Sequence, residues 1–101
     1  MDIKLQIQST PNPNALKFVL NVPVKTEGKF TYKSAAECEP NPLAKAFFGI
    51  KHVREVYFFD NYITVTQNGD GDWDVLESEI KAVIMAKIAA HDPNFKVKEP
   101  V

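Results

Sequence analysis

At 101 residues, with 45% hydrophobic and 25% charged side chains, the chain is sized for one globular domain around one modest core. Twelve Lys and Arg against thirteen Asp and Glu leave a formal charge of −1, which gives neither nucleic acid nor an anionic membrane a reason to bind. A single cysteine excludes an internal disulfide and any cysteine-rich metal site built by one chain.

Residues 3–8 alternate, with Ile3, Leu5 and Ile7 on one side and Lys4, Gln6 and Gln8 on the other, the period of a half-buried strand. The polar run Thr10-Pro11-Asn12-Pro13-Asn14 breaks it, because proline removes donors and asparagine favours turns. Alternation resumes at Leu16, Phe18 and Leu20, so the two segments predict an antiparallel hairpin. A weaker strand is expected at Phe30-Thr31-Tyr32. Ser34 to Glu37 fits a capping box that Pro40 and Pro42 limit to about one turn. Asn41-Pro42 reads as N-cap and first residue of a short helix that buries Leu43 and Phe47, with Gly49 expected as a left-handed C-cap.

Val53–Phe59 and Tyr62–Thr66 are β-branched or aromatic at most positions. Asp60-Asn61 between them predicts a two-residue turn with positive φ at both. After the glycine-rich loop 68–72 the longest helix is expected from about Trp73 to Ala90. Asp72 caps it, and its apolar stripe is Trp73, Leu76, Ile80, Val83, Ile84 and Ile88. Pro93 ends it, and Phe95 and Val97 mark a last edge strand or a frayed tail within 94–101. The order ββ(β)αββα predicts an α+β domain over residues 1–101, mostly antiparallel, with the helices on one face.

Candidate sites are few. Five acids and no base fall between Asp70 and Glu79. Counted from Asn68, a calcium loop of the EF-hand type would draw on Asp70, Asp72 and Glu79, but its sixth position, which needs glycine, is Trp73. The simpler reading is a flexible loop with acids at a helix start. Cys38 stands between Glu37 and Glu39, whose charge disfavours a thiolate, and is expected at the surface and inert. If it binds metal at all, it does so as one of two thiols across a dimer. His52 and His91 follow helix ends and read as structural or solvated. No nucleophile elbow, P-loop or dinucleotide fingerprint is present, so an enzyme is not expected. Two prolines and two asparagines in five positions stiffen the Thr10–Asn14 loop beyond what a turn requires, as befits either a tight turn or a recognition loop ordered in advance.

The same residues carry a resemblance. Thr10-Pro-Asn-Pro-Asn-Ala-Leu-Lys-Phe18, Asn41-Pro-Leu-Ala44, Val56-Tyr-Phe58, Tyr62-Ile-Thr-Val-Thr66 and Asp72-Trp73 together resemble the N-terminal domain of NifU-like (Nfu) iron–sulfur cluster scaffold proteins, over residues 3 to 90 or so. In that family a second domain holds the cluster through Cys-x-x-Cys, and these residues contain no such motif. The resemblance therefore implies a stand-alone accessory module with no cofactor on this chain alone, the iron–sulfur cluster belonging to the family context. It would meet protein partners of iron–sulfur biogenesis through Thr10, Pro11, Asn12, Pro13, Asn14 and Lys17. Neither nucleic acid nor membrane is expected as a partner, and a monomer is expected over a dimer. With no secretory signal and no long apolar run, the cytoplasm is the expected compartment.

Overall fold

The computed structural model describes residues 3–38 and 41–94. Among these residues there are five strands and two helices: β1 (Leu5–Ser9), β2 (Ala15–Leu20), β3 (Lys25–Tyr32), α1 (Pro42–Phe48), β4 (Val53–Asp60), β5 (Tyr62–Gln67) and α2 (Trp73–Lys87). Single 3-10 turns lie at Ala35–Cys38 and Ile88–Ala90. The strands form one sheet in the order β1-β2-β5-β4-β3, every pair antiparallel. The α+β expectation therefore holds, with β3 a full strand rather than three residues. Phe95 and Val97 lie outside the described residues.

Period-two alternation decides which side of the sheet is dry. Phe18 and Leu20 on β2, Ile63 and Val65 on β5, and Val56 and Phe58 on β4 are all buried, and they share a core with Leu43, Phe47, Leu76, Ile80 and Ile84 of the helices. Lys17, Val19, Tyr57, Phe59, Tyr62 and Thr64 alternate with them and stand on the uncovered side. α2 packs the expected stripe inward, with Trp73 and Val83 at its margin. Asp72 caps it, its side chain accepting from the Asp74 N–H at 3.0 Å. Among the described residues no helix is long and apolar enough to cross a membrane.

Three local expectations need correction. Gly49 ends α1 in the right-handed region (φ −76°, ψ −12°), its N–H donating to the Ala46 carbonyl at 3.2 Å. The left-handed residue is His52 instead (φ 77°), at the entry to β4. In the β4–β5 turn only Asp60 has positive φ (48°). Asn61 is tied to the next strand instead: its carbonyl accepts from the Leu20 N–H at 2.8 Å and its Nδ2 donates to the Leu20 carbonyl at 3.1 Å. That tertiary pair overrides the local turn preference. Cys38, expected at the surface, is wholly buried, and its thiol points at the Ser34 carbonyl 3.4 Å away. Successive side chains of a 3-10 turn point to different sides, so charged neighbours in sequence say little about where Cys38 lies. Cysteine packs as a small apolar group.

Candidate interaction site

The Thr10–Asn14 loop is built by its own side chains. The Thr10 hydroxyl accepts from the Asn12 N–H (3.1 Å) and lies 2.9 Å from the Asn12 carbonyl and 3.0 Å from the Ala15 carbonyl. Asn12 Oδ1 accepts from the Asn14 N–H at 2.9 Å. In these turns side-chain oxygens stand in for backbone carbonyls, accepting from the N–H groups of Asn12 and Asn14 that alternate with Pro11 and Pro13, which have none. Two longer ties hold the loop down: the Asn14 carbonyl accepts from Gln67 N–H at 2.8 Å, and the Pro13 carbonyl from the Trp73 indole at 3.0 Å. Residues 11 to 14 nevertheless stay exposed. The loop is thus both anchored and accessible.

Lys17 leaves β2 on the uncovered side of the sheet, its Nζ 4.0 Å from the centroid of the Tyr62 ring. Tyr57 and Phe59 complete a cluster there, with centroids 6.1 and 5.7 Å from that of Tyr62 and 6.4 Å from each other. Burial among these groups, then the Tyr57 phenol, push the Tyr62 phenol above its ordinary value, while Lys17 pulls it down. Neither helix covers this cluster. Strict alternation in β4 and β5 already puts Tyr57, Phe59 and Tyr62 on the face opposite Val56, Phe58 and Ile63. What the sequence hides is whether a helix then lies over them.

The acidic segment is organised for another purpose than a calcium loop. Asp72 spends its carboxylate on the cap of α2. The loop before it is held, not flexible: Asn68 Oδ1 accepts from Asp70 N–H at 2.9 Å and Gln67 Oε1 from Gly71 N–H at 2.6 Å. A Cβ at Gly71 would stand 2.6 Å from Leu76 Cδ1 and 2.8 Å from Gln67 Oε1, so any other residue there would displace one of these side chains. Asp70, Asp72 and Glu79 do line a common cleft, but Lys51 and His52 share it. Among the described residues no three His, Cys, Asp or Glu side chains are placed to hold a metal ion. The buried Cys38 gives a second copy no thiol to meet.

His91 lies between the core and solvent. Its Nε2 is 2.8 Å from the Val24 carbonyl, which can only accept, and its ring stands 5.6 Å from that of Phe58. Burial lowers its proton affinity, against the pull of the Val24 carbonyl and Asp92. Unfolded, the imidazole titrates near about 6.5, so as pH falls the unfolded chain takes its proton first. The contribution of His91 is complete above that pH and is lost below it. The expected result is a melting temperature that drops by a few degrees between neutral and mildly acidic pH, solvent on its open side screening part of the effect. His91→Gln should flatten the profile in that range, and an unchanged slope would contradict this account.

Residues 5–91 match the family model described as Scaffold protein Nfu/NifU N terminal. The chain is 37% identical over 91 residues to the mitochondrial NifU-like protein 5 of Arabidopsis thaliana, covering 90% of this chain and 33% of that protein. It is 39% identical over 97 residues to the mitochondrial NFU1 iron–sulfur cluster scaffold homolog of Homo sapiens, covering 95% and 38%. The chain thus spans about a third of the length of these relatives. In structure it is similar to a NifU-like protein from Saccharomyces cerevisiae (TM-score 0.80, 22% identity, 96% of this chain and 87% of that one). The protein SAV1430 from Staphylococcus aureus shares the fold too (TM-score 0.71, 22% identity, 80% and 98%). The cytoplasmic expectation does not survive: the curated relatives are mitochondrial proteins. It rested on missing signals, and the composition of a folded domain carries no record of its compartment.

Proposed function

Because this chain belongs to the Nfu/NifU N-terminal scaffold family, we propose that it is a non-enzymatic interaction module of iron–sulfur cluster assembly or delivery. It docks on a cluster carrier or an apo-protein client through Thr10 to Asn14 and Lys17. The observation that carries this reading is the loop itself, exposed at 11–14 yet ordered by its own side chains and by Trp73. A surface ordered before contact loses less entropy on binding. The aromatic cluster of Tyr57, Phe59 and Tyr62 beside Lys17 adds residue types that anchor protein contacts. The cluster is cargo on the partner, so the domain needs no metal ligand of its own.

The test uses two kinds of loop variant. Asn12 Oδ1 holds the loop, so Asn12→Ala is expected to lower stability by about 1 kcal/mol. Asn14→Ala combined with Lys17→Glu leaves intact the hydrogen bonds made by Thr10, Asn12 and Trp73 and should melt within a few degrees of the parent. With the domain as bait in an anaerobic pull-down, the parent should retain Cys-x-x-Cys carriers or apo iron–sulfur proteins. The double variant should hold them about tenfold more weakly, a loss of about 1.4 kcal/mol. Equal retention by the double variant, or recovery of unrelated proteins alone, would sink the proposal.

A further inference from the structure

The two edges of the sheet are guarded very differently. β3 carries Lys25, Glu27 and Lys29, and its pairing with β4 shifts register between Lys25 and Lys29, where Gly28 takes φ 65°. Its outer side is partly covered as well, since Thr26 N–H donates to the Pro93 carbonyl at 2.9 Å and its hydroxyl lies 2.6 Å from Asn94 Oδ1. Charge, bulge and cover are the devices by which sheets block pairing with another chain. β1 has none of them. Its sequence Leu-Gln-Ile-Gln-Ser holds no charge and no proline, its five residues pair with β2 without a break, and four of the five are exposed. Among the described residues no strand lies on its far side.

The hydrogen-bond phase of β2 shows which groups β1 offers. Leu20 directs its N–H and C=O to Asn61, away from β1, whereas Asn21 N–H donates to the Lys4 carbonyl at 3.2 Å. Bonding alternates along an antiparallel pair. Gln6 and Gln8 therefore turn their backbone groups toward β2, and Leu5, Ile7 and Ser9 turn theirs outward. We infer that β1 is a pairing edge for a second copy of this chain, the two β1 strands joining antiparallel about a two-fold axis at Ile7.

The strand is self-complementary in that register. Ile7 exchanges both backbone hydrogen bonds with the second copy's Ile7, and Leu5 and Ser9 exchange theirs with the second copy's Ser9 and Leu5. That closes the open edge with no charged side chain in the seam. On the uncovered side Gln6 stands opposite the second copy's Gln8, close enough for amide pairing. On the helix side the two Ile7 side chains, each 37% exposed in the single chain, cover one another. The contact is isologous and closes at two copies, giving one ten-stranded sheet. It leaves Thr10–Asn14 and Lys17 uninvolved in the strand bonds, so it stands apart from the docking proposed above, and it replaces the expectation of a monomer.

Sedimentation equilibrium of the full chain over a rising concentration series tests the inference. The expected result is a shift from 11.4 kDa toward twice that mass. Hydrogen exchange should slow with concentration at the Leu5, Ile7 and Ser9 amides and at no other strand. Ile7→Pro removes the two central donors while sparing the bonds to β2, and Ile7→Lys sets like charges opposite one another. Each should weaken association about tenfold or more, equivalent to about 1.4 kcal/mol, with circular dichroism showing the fold kept. A chain that stays monomeric up to about millimolar concentration, where only the weakest specific contacts remain unformed, overturns the inference. So does a dimer indifferent to both substitutions, or one that protects Tyr57, Phe59 and Tyr62 instead.

Discussion

Replacing Phe58 by alanine is expected to destabilise the domain by about 3–5 kcal/mol, the cost of removing a large buried aromatic and leaving a cavity. Phe58 has no exposed surface and sits at the junction of the core. Its ring lies 5.8 Å from Tyr32, 6.4 Å from Phe47 and 5.6 Å from His91, centroid to centroid. It therefore links β3, α1 and the segment after α2 in one contact. A domain of this size holds about 5–15 kcal/mol in all, so the loss is a large share of the total. The melting temperature should fall by about 15 °C or more. Phe59→Ala, one residue on, is the informative comparison. Phe59 stands on the uncovered face at 38% exposure, and its loss should cost about 1 kcal/mol, mostly the ring contacts with Tyr57 and Tyr62. Neighbouring residues of one strand thus differ severalfold because they point to opposite sides. Similar losses from the two variants, measured by thermal melts, would overturn the assignment of faces.

Strand faces were the most legible part of the chain. Period-two alternation from Leu16 to Leu20 and from Val53 to Thr66 needs no tertiary information, and the helix stripe from Leu76 to Ile88 needs only the 3.6-residue period. Asp72 and Asn41 were equally legible as caps, because capping is settled within four residues. What failed was decided by distant contacts. The Asp60–Asn61 turn is reset by Leu20 across the sheet, β3 is lengthened by pairing with β4 and by Pro93, and Cys38 is carried inward by a turn too short to show periodicity. The site divides in the same way. Exposure and stiffness of Thr10–Asn14 follow from its proline and asparagine content. The Trp73 indole that anchors the Pro13 carbonyl comes from 60 residues away and leaves no mark in the local pattern. Net charge is legible from composition, but its distribution over the surface is not. A net of −1 averages an acidic start of α2 with a sheet face where Lys17 stands among aromatic rings, and only the fold separates the two.

Asn41→Ala should rank next in effect, at about 2–3 kcal/mol, because one buried side chain serves two elements. Asn41 is 2% exposed. Its Oδ1 accepts from the Ala44 N–H at 3.1 Å and so caps α1, while its Nδ2 donates to the Tyr32 hydroxyl at 3.2 Å. Loss of an N-cap acceptor costs about 1 kcal/mol. A seven-residue helix has little intrinsic stability to absorb that loss. Removing the donor to Tyr32, whose ring is fully buried, adds about another 1 kcal/mol, and the small cavity left behind adds to both. Asn41→Ser separates the two roles. Serine restores a capping oxygen but is too short to reach Tyr32, so it should recover about 1 kcal/mol of the loss. In the background of Tyr32→Phe the cost of Asn41→Ala should shrink by the worth of the Tyr32 bond, and a double-mutant cycle in denaturant reads that coupling directly. A cycle that closes with no coupling would show Asn41 acting as a cap alone, leaving α1 joined to β3 by apolar packing without this polar link.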